Sequence, residues 1–108
     1  MAITRGTTPL IAFTLPIEVK RDEIAEAWLT VSQNKRPVVD RNLSANELAV
    51  DDVTSTIAAK LTQVDTIVLS ADKIAEVQIR FVLKNGEAYA TDIISKNVYD
   101  VLHEGVIG

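Results

Sequence analysis

The run from Glu76 to Ile94, EVQIRFVLKNGEAYATDII, constrains the fold of this chain more than any other segment. Between Val77 and Leu83, the apolar residues Val77, Ile79, Phe81 and Leu83 alternate with Gln78, Arg80, Val82 and Lys84. A period of two sends one set toward a core and the other toward solvent or a neighbour. Asn85-Gly86 accepts positive φ at both central positions of a type I′ turn, whose twist suits paired strands. The pattern predicts an antiparallel hairpin with a two-residue loop. That loop places Val82 opposite Tyr89, away from the Phe81 face. Val82 and Tyr89 thus load a second apolar face and become candidate contacts for a partner or a sandwich corner.

The rest of the chain reads the same way. Valine, isoleucine and threonine number 13, 11 and 10, an excess that favours pleated structure over helix, although 12 alanines keep helix open. Pro9 and Pro16 bracket a strand over Leu10 to Leu15, with Ile11, Phe13 and Leu15 on one face. Ile17 to Glu23 reads as a turn or short helical turn. Ala25 to Gln33 is ambiguous: Ile24, Ala27, Trp28 and Val31 form a helical stripe, whereas Ala27, Leu29 and Val31 alternate. The Trp28-Leu29-Thr30-Val31 core of the segment favours strand. A turn at Asn34-Lys35-Arg36, an edge strand over Pro37 to Arg41 and a short strand around Leu48-Ala49-Val50 follow. Ser55 to Leu61 alternates with Ile57, Ala59 and Leu61 on one side. Thr62, with Asp65 three residues on, predicts a capped helical turn. Val98, Val101 and Leu102 stand at helical spacing before Gly105, which predicts a short helix or turn over 97–104. The expectation is a mainly β chain: one antiparallel, immunoglobulin-like β-sandwich domain over residues 1–108, with one or two short helical turns. Residues 97–108 read as a docking tail, in which Leu102, Val106 and Ile107 are the candidate contacts.

The chemistry is sparse. A formal charge of −4, with the basic residues scattered, argues against nucleic-acid binding. No apolar run approaches the roughly 18 residues that span a membrane, and the N-terminal stretch is broken by Thr14 and Pro16, unlike a signal peptide. Four glycines, at 6, 86, 105 and 108, do not build a phosphate loop. Without cysteine, and with His103 as the single histidine, there is no thiolate or His-rich metal site. His103 as a general base lacks a pocket; its plainer reading is a cation at a helix C-terminus. Asp22-Glu23 and Asp51-Asp52 read as solvated turns, because sequence neighbours on a strand face opposite ways. The expectation is a protein without catalytic residues, cofactor or metal. Trp28 is the remaining candidate. It lies outside if Ala27, Leu29 and Val31 face the core, and inside if a loop covers it; a small domain rarely leaves its only tryptophan uncovered. An exposed Trp28, with Tyr89, suits stacking on a sugar or anchoring a protein interface.

Several short motifs run through the chain: Arg5-Gly6-Thr7-Thr8-Pro9 with Phe13-Thr14-Leu15-Pro16, Val31-Ser32-Gln33-Asn34, Leu61-Thr62-Gln63-Val64-Asp65-Thr66, Val77-Gln78-Ile79-Arg80, Asn85-Gly86-Glu87-Ala88 and Gly105-Val106-Ile107. Together they resemble a family of small structural proteins from the tail modules of phages and prophages of Gram-positive bacteria. The opening segment also resembles the N-terminal immunoglobulin-like domain of siphophage baseplate upper proteins, without their helical and receptor-binding extensions. Ile17 to Glu23 departs from the family pattern in being more charged. The resemblance implies a non-enzymatic tail or baseplate component, assembled in the host cytoplasm into the virion. Its partners would be other tail proteins and further copies of itself. A carbohydrate-binding or adhesion module on such a tail is the alternative.

Overall fold

A computed structural model describes residues 2–108. In chain order its elements are β1 (Ile3–Thr4), β2 (Leu10–Thr14), a 3-10 turn (Arg21–Glu23), β3 (Ile24–Gln33), β4 (Arg36–Asn42), β5 (Ala49–Asp51), β6 (Thr56–Lys60), α1 (Gln63–Ile67), β7 (Ala75–Leu83), β8 (Ala88–Ala90), β9 (Ile94–Lys96) and β10 (Val98–Tyr99). One sheet has the order β2-β6-β5. The other has the order β4-β3-β7-β8, with β9 also on β7. A separate parallel pair joins β1 to β10. The chain is therefore mainly β, with antiparallel sheets that form a β-sandwich.

The core lies between the sheets because each strand alternates. Ala27, Leu29 and Val31 of β3 pair with Phe81, Ile79 and Val77 of β7, and all six are buried. Ile11 and Phe13 of β2 and Ile57 and Ala59 of β6 belong to the same buried cluster. The helical stripe seen in β3 has a local cause: the register shifts between Ile24 and Glu26, where Ala25 is an extra residue. That bulge lets Ile24 and Ala27, three apart, both face inward.

Turn chemistry sets two registers. Asn34 and Lys35 both have positive φ, 54° and 62°, so the two-residue I′-type turn sits between β3 and β4. The Asn85-Gly86 hairpin is different. Leu83 N–H donates to the Glu87 carbonyl at 2.8 Å, leaving three loop residues, Lys84 to Gly86. Only Gly86 takes positive φ, while Asn85 accepts the Glu87 N–H through its side chain at 2.9 Å. The extra loop residue moves the register by one, so Tyr89 pairs with Phe81 and Val82 with Ala88. The expected Val82–Tyr89 pair does not form, and the two lie on opposite faces.

Of the short helix or turn predicted over 97–104, the helix does not form. Val98 and Tyr99 instead form β10 against Ile3 and Thr4, which buries Val98 with Ile3. A helix of two turns is marginal in water, and its stripe would have required burial of Leu102, which is fully exposed. The capped turn at Thr62 is present: Thr62 Oγ1 accepts the Asp65 N–H at 3.1 Å and Asp65 Oδ2 accepts the Thr62 N–H at 2.9 Å.

Asp65 is buried and also pairs with Arg41, which stands opposite Leu29 on the inner side of β4. One carboxylate thus joins α1 to an edge strand. Asp65→Ala removes the acceptor of the Thr62 N–H and leaves Arg41 only its longer contact to Glu47 at 3.6 Å, and should cost about 1–2 kcal/mol in urea unfolding. Asp65→Asn keeps the cap geometry and should cost clearly less; equal losses would mean that the cap contributes nothing.

Candidate functional site

The outer face of the β4-β3-β7-β8 sheet carries the residues that alternate with the core set. Trp28 stands between Asn42 and Arg80, Thr30 between Asp40 and Gln78, and Val82 between Glu26 and Ala88. Trp28 is 41% exposed, so no loop covers the indole. A shallow depression of 350 Å³ runs along this face, bordered by Trp28, Thr30, Asp40, Arg80, Val82 and Ala88, with Phe81 and Tyr89 at its rim. Thr30 Oγ1 donates to Asp40 Oδ1 at 2.8 Å, which orients that carboxylate. Arg80 makes no ion pair among the described residues. The face therefore offers an indole, a valine, a guanidinium and a carboxylate within neighbouring registers.

Tyr89 reaches that rim from the Phe81 side of the sheet. Its ring stacks on Phe81, centroids 5.5 Å apart and planes 20° from parallel, and its hydroxyl donates to Glu87 Oε2 at 2.5 Å. That hydrogen bond to a carboxylate raises the phenol above its ordinary pKa, with burial adding to it. Tyr89 closes the open edge of the core and does not form a joint aromatic platform with Trp28.

Val106 and Ile107 lie at a second location, and Leu102 is fully exposed outside it. Val106 borders a 400 Å³ depression with Thr8, Lys60, Leu61, Thr62, Gln63 and Val64, none of which borders the Trp28 face. The tail is attached through its backbone: Gln63 donates to the Ile107 carbonyl and accepts its N–H, both at 2.8 Å. Arg5 fixes the segment before it. Its guanidinium donates to Asp100 at 2.6 Å and Glu104 at 2.7 Å, and to the carbonyls of Ile67 (2.9 Å), the last residue of α1, and Leu69 (2.8 Å). The hydrogen bonds to Glu104 and then Asp100 raise the Arg5 pKa. Neither Arg5 nor Gln63 stands out from its neighbours as a single residue; only the contacts reveal them.

His103 is exposed, and no helix C-terminus adjoins it, so its helix-capping reading does not apply. The acidic pairs serve as turn acceptors: Asp52 takes the Arg21 N–H at 2.6 Å, Glu23 the Lys20 N–H at 3.0 Å, and Asp51 the Val53 N–H at 2.9 Å. Among the described residues, no group of three or more His, Cys, Asp or Glu side chains could hold a metal ion, and no helix is long and apolar enough to cross a membrane. The chain matches no family model, and neither a curated protein nor a solved structure matches it.

Two carboxylates give these attachments a pH dependence. The Val101 N–H first, and Arg5 second, hold the Asp100 carboxyl below its ordinary value. Glu26, with the Ser44 hydroxyl as the leading cause and the N–H groups of Ala27, Ser44 and Leu43 behind it, is lowered likewise. A carboxyl whose folded pKa is lowered stabilises the fold above its unfolded pKa, and that stabilisation is lost as pH falls through the folded value. The Val101 amide should accordingly exchange with deuterium slowly at neutral pH and faster only once the pH falls below the ordinary aspartate value, with exchange chemistry normalised. Asp100→Asn should remove that step, and an unchanged step would assign it to another group.

Proposed function

We propose that this protein is a non-catalytic assembly component that docks on a partner protein through the outer face of the β4-β3-β7-β8 sheet. The observation that carries the reading is Trp28, 41% exposed in the middle of a regular sheet, beside Val82 and the unpaired Arg80. Tryptophan and arginine are the side chains that most often dominate protein interfaces, and a rim of Asp40 and Thr30 supplies polar registration. The motif resemblance described above is what supports a partner in a phage tail or baseplate, with the protein in the virion after assembly in the host cytoplasm.

The strand order supports the immunoglobulin-like form of the sandwich. A β2-β6-β5 sheet facing β4-β3-β7-β8, with a first strand running parallel to the last, follows the arrangement of such domains. Their usual inter-sheet disulfide has no counterpart here, since the chain has no cysteine.

The test is particle assembly in a host carrying the gene in its phage or prophage. Trp28→Ala and Val82→Glu should each remove the protein from purified particles and lower particle yield roughly thirtyfold or more, as loss of an interface anchor would. Their circular dichroism should match the parent. A parent protein missing from purified particles, or variants incorporated as well as the parent, would reject the reading.

A specific feature favours a second reading, a carbohydrate-binding module. The indole of Trp28 is flanked by Thr30, Asp40 and Arg80, which suits one stacked sugar ring with hydroxyl-directed hydrogen bonds. In that case Trp28→Ala should abolish calorimetric binding of cell-wall glycans, while Tyr89→Ala lowers stability and leaves affinity nearly unchanged. No heat from the parent protein across a glycan panel would dismiss it.

A further inference from the structure

β2 is the outer strand of its sheet and bonds only to β6. In an antiparallel ladder, alternate residues direct both backbone groups at the partner and the others direct both away. The Leu61 N–H donates to the Pro9 carbonyl at 2.9 Å, and the Leu15 N–H to the Ser55 carbonyl at 2.8 Å. Continuous register between those two pairs assigns the ladder bonds to Ile11 and Phe13. The N–H and C=O groups of Leu10, Ala12 and Thr14 therefore point away from β6. No described residue bonds them. The side chains of all three are exposed, Leu10 at 59%.

The other sheet edges carry features that discourage pairing. β4 holds Arg36, Asp40 and Arg41, with Pro37 beside a register shift. β5, β8 and β9 have three residues each, and β5 ends in Asp51. β2, with the sequence LIAFT, has no charge, no internal proline and no register shift. An uncharged, regular edge of this kind is a template for another strand.

We infer that β2 is a homodimerisation edge, paired antiparallel with β2 of a second copy about a two-fold axis at Ala12. The occupant follows from the strand itself. Rotation about Ala12 sets Leu10 opposite Thr14 and Ala12 opposite its own copy. The three outward N–H groups of each strand then meet the three outward carbonyls of the other. The small alanine sits at the axis, and no charge on either strand opposes its twin. Pro9 and Pro16 bound the strand, so pairing is confined to this segment. The product is a closed pair with one continuous sheet, β5-β6-β2-β2-β6-β5, and the axis consumes the free edge. The contact extends the assembly role proposed above but uses a different surface, so either can fail without the other.

Sedimentation equilibrium on the full chain tests it. The parent should show about twice its 11.8 kDa mass at high concentration, and Trp28→Ala should leave that dimer intact. Ala12→Lys and Ala12→Glu, each placing like charges at the axis, should weaken the dimer roughly tenfold or more, and an equimolar mixture of the two should restore it. A parent that stays monomeric to about 1 mM, or a dimer indifferent to both charges, overturns the inference. Should either variant misfold, hydrogen exchange on the parent decides instead. Raising its concentration should slow exchange at the amides of Leu10, Ala12 and Thr14, and exchange independent of concentration there overturns the inference.

Discussion

The pairing of β3 with β7 is the contact on which the rest of the molecule depends. These are the two longest strands, and their inward residues, from Ala27 to Val31 and from Val77 to Phe81, are essentially without solvent access. Each further strand of that sheet attaches to one of this pair, and the β2-β6-β5 sheet packs its apolar side against their common face. The same pairing dictates the outer surface. Once Leu29 meets Ile79 on the inside, Trp28 must meet Arg80 on the outside, because the side-chain period of a strand is two. The exposed indole is thus a consequence of core registry, and moving it inward would turn the whole of β3 over.

Polar side chains do the joining where strands end. Buried Gln33 bonds the backbone of Ser70 and Lys73, Ser55 bonds both backbone groups of Val19, and Thr66 donates to the Thr7 carbonyl. Each meets backbone groups that would otherwise be left without partners in a covered loop. Among the described residues no buried side-chain nitrogen or oxygen lacks a partner.

Much of this was legible from residue order. The alternation in β2, β3, β6 and β7 and the Thr62–Asp65 cap are local patterns with local causes. What escaped prediction depended on single-residue insertions or on distant partners. The extra loop residue before Glu87 turned Tyr89 toward Phe81, and hence away from Val82; a two-residue Asn-Gly turn and a three-residue loop ending in Gly86 share the same letters. The bulge at Ala25 imitated a helical spacing. Val98 reads as helical until Ile3 is seen beside it, almost the whole chain length away. The outward set Gln78, Arg80 and Val82 was readable from the hairpin, but its union with Thr30 and Asp40 needed the order of three strands.

The parallel pair β1–β10 has a mechanical meaning. In parallel strands, the start of one and the finish of the other lie at opposite ends of the ladder. A pull applied through the segment before β1 and the segment after β10 therefore slides the strands along each other, and their hydrogen bonds bear load together instead of opening one by one. Arg5, immediately beyond β1, grips Asp100 and Glu104 just past β10, and so adds charged contacts along the same line of force. Tension applied through the two terminal segments would thus first strip the Ile107 attachment at Gln63 and then meet a shear joint at β1 and β10, before it reached the sandwich core.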